Sequence, residues 1–343
     1  VLQNNLGNNL PVSANGAFTF STPIAIGSTY SVTVQAQPTN PSQTCSVTNG
    51  PGTAGLADVT SVTVTCVTRT FTVGGTVSGF VAGTALVLRN NGGDNLVLSA
   101  NGAFTFATQV ASGAAYNVTV LTQPSGPSQI CSVIGGSGTV GNGNVANVSV
   151  VCSTNSFTVG GAVSGHNGTG LTLRLNGATN LIVGGNGVFA FGAIADGSPY
   201  SVTVFVQPLD QTCTVANPSG TLAGANVVNV AVTCTINTFT VGASVTGLAG
   251  TGLVLQNNLG NNLSVSASGT FTFSTRIAAG SPYAVTVLTQ PSAPTQTCTV
   301  ISGSGTVGSA NVTVNVVCAT NTYFIGVTVS GLSTAGTTTG VVL

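Results

Sequence analysis

The chain of 343 residues has no lysine, no glutamate, no methionine and no tryptophan, and a single histidine, His166. Only eight side chains carry charge: Asp58, Asp94, Asp196 and Asp210 against Arg69, Arg89, Arg174 and Arg276. Ordinary domains are about 25% charged. Four arginines cannot build the basic face that nucleic-acid binding needs. One imidazole and scattered aspartates leave no tuned base beside a nucleophile, so acid–base catalysis has little to work with. A surface without net charge associates readily, which suits a fibre or cell surface better than free solution. No apolar run approaches the ~20 residues of a membrane helix, because Thr, Ser, Asn and Gly break every stretch. There is no initiating Met and no signal-like N-terminus, which reads as a mature fragment or a window into a longer chain.

What is there is periodic. Cysteines come in pairs: Cys45 and Cys66, Cys131 and Cys152, Cys213 and Cys234, Cys298 and Cys318, separated by 21, 21, 21 and 20 residues. From one first cysteine to the next the steps are 86, 82 and 85 residues, so a unit of roughly 85 residues repeats. Paired cysteines with none left over predict four disulfides in an oxidising compartment. A structural zinc site clusters its cysteines two to four apart, and that clustering is missing. Each pair brackets a turn-rich centre such as NGPGTAGLAD between β-type runs. A hairpin there would oppose the two cysteines at about 4.5–5.5 Å between Cα atoms.

Residues 239–322 give the clearest copy. FTVGASVTGL, LVLQNN, NLSVSAS, TFTFSTRIA, YAVTVLTQP, TQTCTVIS and VTVNVVCATN read as seven strands separated by Gly-, Asn- and Pro-rich turns, with GSGTVGSAN as a loop. Leu253 with Leu255, and Phe271 with Phe273, face inward. Pro291 stops the fifth strand because it cannot donate to a ladder. With no helical periodicity and turns every 8–12 residues, the expected fold is all-β: tandem β-sandwich domains in a linear rod. The copies match in SANGAFTF, GGNGVFAF and SASGTFTF, in Tyr30, Tyr116, Tyr200 and Tyr283, and in Gln37-Pro38, Gln123-Pro124, Gln207-Pro208 and Gln290-Pro291. The predicted domains are 1–70, lacking its first strand, then 71–156, 157–238 and 239–322, with 323–343 opening a further repeat.

The order VxGxVxG, a strand, N-G-x-F-x-F, then G-x-x-Y-x-V-x-V resembles the carboxypeptidase-regulatory-like and collagen-adhesin B-type repeats of bacterial surface proteins. The resemblance covers the first half of each unit and implies immunoglobulin-like or prealbumin-like sandwiches. The Cys-bearing second half is an addition to that pattern. Many such repeats lock themselves with an isopeptide bond between Lys and Asn or Asp. Without Lys and Glu this chain cannot, and the disulfide would take over that stabilising role.

The connectors STNS, TINT and ATNT put the start of the next unit five residues after the second cysteine and leave little room for independent tumbling. The segment VLQNNLGNNL at 1–10 recurs at 254–263, so residue 1 starts inside the second strand of a unit, and the tail carries a spare opening strand. Two explanations stand: a cut from a longer repetitive chain, or a tail strand of one copy completing residues 1–70 of the next.

The remaining candidates for chemistry are weak. His166 sits in SGHNGTG, in one unit only, and reads as an exposed turn residue. Asp94 in NNGGDNL hints at a calcium loop, but the matching loops hold no acid. Gly74-Gly75 and Gly160-Gly161 read as strand irregularities, not phosphate cradles. We therefore expect no catalytic residue, no metal ligand and no cofactor. Outward Thr, Ser and Asn make a lawn of hydroxyls and amides. It could pack copies together, order water as ice-binding surfaces do, or carry glycans at Asn117, Asn147, Asn167, Asn262 and Asn311, sequons expected by chance here. The reading is a non-enzymatic segment of an extracellular bacterial filament, stalk or fibre, with adjoining repeats or other copies of itself head to tail as partners. The alternatives are an adhesin stalk whose ligand-binding domain lies elsewhere, and an ice-binding or surface-adsorbing array.

Overall fold

The computed structural model describes residues 1–81, 85–167 and 169–331 and is all-β among them. The second unit shows the plan. One sheet has the order Gly102–Thr105, Val73–Ser78, Val145–Thr154, Gln129–Ile134, with its two central strands parallel. The facing sheet has the order Asp94–Leu98, Leu86–Asn90, Ala115–Thr122, Ser137–Thr139. A short clip pairs Thr70–Phe71 with Val110–Ala111. These are seven long strands and three short ones, and the third and fourth units repeat them from Ser156 to Ile236 and from Thr238 to Thr320. The segment GSGTVGSAN, expected to be a loop, instead holds the strand Ser304–Thr306. That strand pairs with Pro282–Ala284 and so widens the second sheet.

Alternation in the sequence places the core. Leu86, Leu88, Phe106, Val118, Val148 and Val150 point between the sheets and are buried, with Cys131 and Cys152 among them. Each large side chain so buried contributes about 1.5–3 kcal/mol. Phe104 and Phe106 stack edge to face with ring centroids 5.9 Å apart. In the three-residue loop between Asn90 and Asp94, Asn91 and Gly92 take positive φ (48° and 73°) and the Gly93 N–H closes the turn on the Asn90 carbonyl at 3.2 Å.

Residues 1–70 differ. Residues 11–28 contain no strand, and among the described residues Gln43–Thr48 pairs only with Thr63–Thr68. Phe18 and Phe20 are half-buried, whereas Phe104 and Phe106 are buried. The FTF segment is thus held in the other units by its partner, the Val73–Ser78 strand or its equivalent. At the other end, Tyr323, Phe324 and Ile325 are exposed, and residues 322–331 form no strand.

The glycine pairs are not the irregularity themselves. Gly74 and Gly75 lie in the regular strand Val73–Ser78; the register shift sits in its parallel partner, between Val145 and Val148. The same shift recurs opposite Gly160 and Gly161. In the fourth unit Val241–Thr246 and Val312–Thr320 pair without any shift, and Ala243 stands where the others have glycine.

Candidate functional site: the joints between units

The eight cysteines form four bonds, Cys45–Cys66, Cys131–Cys152, Cys213–Cys234 and Cys298–Cys318, each with 3.9 Å between Cα atoms. That separation is shorter than expected, and a glutamine explains it. The Gln123 amide accepts from the Cys131 N–H (2.8 Å) and donates to the Cys131 carbonyl (3.0 Å). The main-chain groups of Cys131 therefore point away from Cys152, which leaves the pair in the closer, non-hydrogen-bonded class of opposed residues. Gln37, Gln207 and Gln290 do the same for Cys45, Cys213 and Cys298. In the Gln-Pro dipeptide the proline ends the strand, but the glutamine carries the bonds.

His166 corrects its expectation: it is 4% exposed. It follows Gly165 as Phe80 follows Gly79 and Leu248 follows Gly247, and it plugs the same end of the core. Its N–H and carbonyl both bond the Asn186 amide (2.8 and 2.9 Å), as those of Phe80 bond Asn101, while both ring nitrogens are buried without a partner. Among the described residues the imidazole bonds no carboxylate and no nucleophile. Asp94 accepts a hydrogen bond from the Thr108 N–H at 2.9 Å, a link within the unit. Among the described residues no three His, Cys, Asp or Glu side chains gather as a metal set.

The polar groups that do converge are at the unit boundaries. One connector residue per joint is bonded on both sides. The Arg69 N–H donates to the Ser42 carbonyl, and the Arg69 carbonyl accepts from the Ser112 N–H, both at 2.9 Å. Asn155 links Ser128 to Asp196 in the same way (3.0 and 2.8 Å), and Asn237 links Asp210 to Ala279 (2.8 and 2.9 Å). The Asn321 N–H likewise donates to Thr295 at 3.1 Å.

A side-chain clasp crosses the first two joints directly. The Ser42 N–H donates to Ser112 Oγ at 2.9 Å, and that hydroxyl donates to the Gly141 carbonyl at 2.8 Å. At the second joint the Ser128 N–H donates to Asp196 Oδ2 at 2.7 Å, and the Gly224 N–H donates to Oδ1 at 2.8 Å. Asp196 is a buried carboxylate. The Gly224 and Ser128 amides that donate to it hold its pKa at about 2, against the opposing effect of burial. Pro41 and Pro127 seat beside Gly113 and Gly197, where an added Cβ would come within 3.3 Å of the proline Cβ.

The sequence reading missed Asp196. The signal was the alignment of Ile26, Ser112, Asp196 and Ala279, each before the glycine of a Gly-x-x-Tyr turn. No family model matches this chain, and no curated protein does. Among solved structures, the Bacillus anthracis TIE protein is similar over 76% of this chain and 54% of its own, at 9% identity and a TM-score of 0.45. A pilus adhesin, SpaC from Lactobacillus rhamnosus GG, is similar in its open conformation over 85% of this chain and 54% of its own, at 10% identity and a TM-score of 0.23. The chain thus spans about half the length of these structures. Likeness at this level assigns no activity.

Proposed function

We propose that this chain is a structural segment of an extracellular bacterial filament, stalk or fibre, built head to tail from disulfide-bonded β-sandwich units and without enzymatic activity. The observation that carries the reading is the doubly bonded connector residue. Arg69, Asn155 and Asn237 each give their N–H to one unit and their carbonyl to the next. Independent domains on a string need no such bonds; a load-bearing series does. The four disulfides support an oxidising location outside the cytoplasm. The near absence of charge supports close packing against adjoining repeats or other copies.

Negative-stain electron microscopy of the native material tests this reading. Regular filaments many units long support it. Single strands tipped with a globule would assign the chain to the stalk of an adhesin instead. Free monomeric four-unit chains in the native material would overturn both.

A further inference from the structure

The three joints are not equal. Their differences concentrate at the one between the third and fourth units. The loop between Gln-Pro and the first cysteine reads PTNPSQT in the first unit, PSGPSQI in the second and PSAPTQT in the fourth, but PLDQT in the third. Two residues are gone, and with them the proline that faces the next unit. On the far side of the same joint, the position of Ser112 and Asp196 is Ala279. An alanine side chain accepts nothing, so the main chain of Asp210 has no partner there equivalent to the clasp received by Ser42 and Ser128. Gly280 has no neighbour within 4 Å of an added Cβ, whereas Gly113 and Gly197 touch a proline. The space between the shortened loop and the next unit is a cleft of about 270 Å³ lined by Asn167, Thr169, Leu209, Asp210, Ile236 and Ala279. One carboxylate oxygen of Asp210 is buried there without a hydrogen-bond partner. Among the described residues the hydrogen bonds at this joint run through Asn237: its N–H to Asp210, its carbonyl from Ala279, and on the third-unit side its side-chain oxygen, which accepts from Thr212 Oγ1 at 2.7 Å.

We propose that the joint between the third and fourth units is a hinge, built by the paired loss of the proline loop and of the side-chain clasp. It bends about Asn237 while the first two joints stay fixed. The cleft is the room it bends into, since a gap of this size removes the packing that resists rotation. A rod of otherwise stiff joints then yields at one defined place, and this holds whether the rod is a filament or a stalk.

The test uses the full oxidised chain carrying pairs of spin labels on genetically encoded residues, which spares the cysteines. Labels at Val97 and Ile182 span the second joint, and labels at the equivalent positions Ile182 and Ser264 span the third. The expected distance distribution across the third joint is about twice as wide as across the second, the signature of domain-scale motion. In a variant with Ala279→Asp and with Ser-Gly-Pro-Ser in place of Leu209 and Asp210, the third distribution should narrow to match the second. Asp196→Ala should widen the second. Equal widths across both joints in the unmodified chain would overturn the proposal. So would a repaired variant that melts normally yet keeps the wide distribution.

Discussion

A Cβ added to Gly75 would lie 1.7 Å from the carbonyl oxygen of Val148. Gly161 stands in the same relation to Val230, at 1.6 Å. Both carbonyls are pushed inward by the extra residue in the parallel partner strand. The fourth unit lacks that residue, which is why its cysteines are 20 apart instead of 21, and its strand accepts the buried Ala243. Cysteine spacing and a glycine more than 50 residues upstream are thus two readouts of one bulge.

Gly161→Ala should therefore destabilise the third unit by about 2–3 kcal/mol, the usual cost of overpacking a close backbone contact. Ala243→Gly in the fourth unit should cost only about 1 kcal/mol, through lost packing and added chain entropy. Deleting Asn229 together with Gly161→Ala converts the third unit to the fourth unit's pattern and should recover most of the loss. Chemical denaturation followed by hydrogen exchange in each unit reads all three. A deletion that worsens the single substitution would break the link between glycine and bulge.

His166→Phe and His166→Leu should each stabilise the third unit by about 1–2 kcal/mol. They remove two buried, unpartnered ring nitrogens and restore the apolar plug of Phe80 or Leu248. Differential scanning calorimetry measures the gain. A loss of stability in both variants would mean that the imidazole makes a contact essential to the fold.

Leu259 holds a φ of +59° in the hairpin between Leu253–Asn257 and Asn261–Val265, with its side chain 86% exposed. The matching residues of the second and third units are Gly92 and Gly177. Leu259→Gly should stabilise by about 1 kcal/mol, since it relieves left-handed backbone without removing a core contact. Melting of the fourth unit should rise, and Leu259→Ala should not reproduce the gain.

Asp196 has its folded pKa lowered from 3.8 to about 2. A lowered carboxylate pKa stabilises the folded joint above 3.8, and that contribution is lost as pH falls through about 2. Across this window the Ser128 and Gly224 amides should lose protection against hydrogen exchange once intrinsic rates are corrected. The Ser42 amide, clasped by the hydroxyl of Ser112, should not. Asp196→Ser should flatten the response at Ser128. An unchanged drop in that variant would place the titrating group elsewhere.

Much of the fold was legible because its determinants are local and repeated. Alternating Val, Leu and Phe fix the sheet faces, Asn-Gly and Gly-Ser mark the turns, and the cysteine interval marks the hairpin. The short strand Ser304–Thr306 escaped because SGT is turn-like in composition; tertiary pairing with Pro282–Ala284 makes it a strand. His166 was misread for a related reason. Its neighbours are turn residues, and only comparison with Phe80 and Leu248 in three dimensions shows that this turn position points into the core. The joints were the least legible. Ser112 and Asp196 look like surface residues in one copy and gain their meaning only against the loop of the preceding unit.

The bulge has a further consequence for which strands can share a sheet. It acts as a keyed coupling: a hairpin with the 21-residue interval admits only an opening strand with glycine at the keyed position, and one with the 20-residue interval admits a side chain there. In the segment after Asn321 that position is Val327. The hairpin of residues 1–70 carries the 21-residue interval. Set beside that hairpin, Val327 would meet the carbonyl at position 62 as an alanine at Gly75 would meet that of Val148, so the opening strand that fits a 21-residue hairpin is one that carries glycine there.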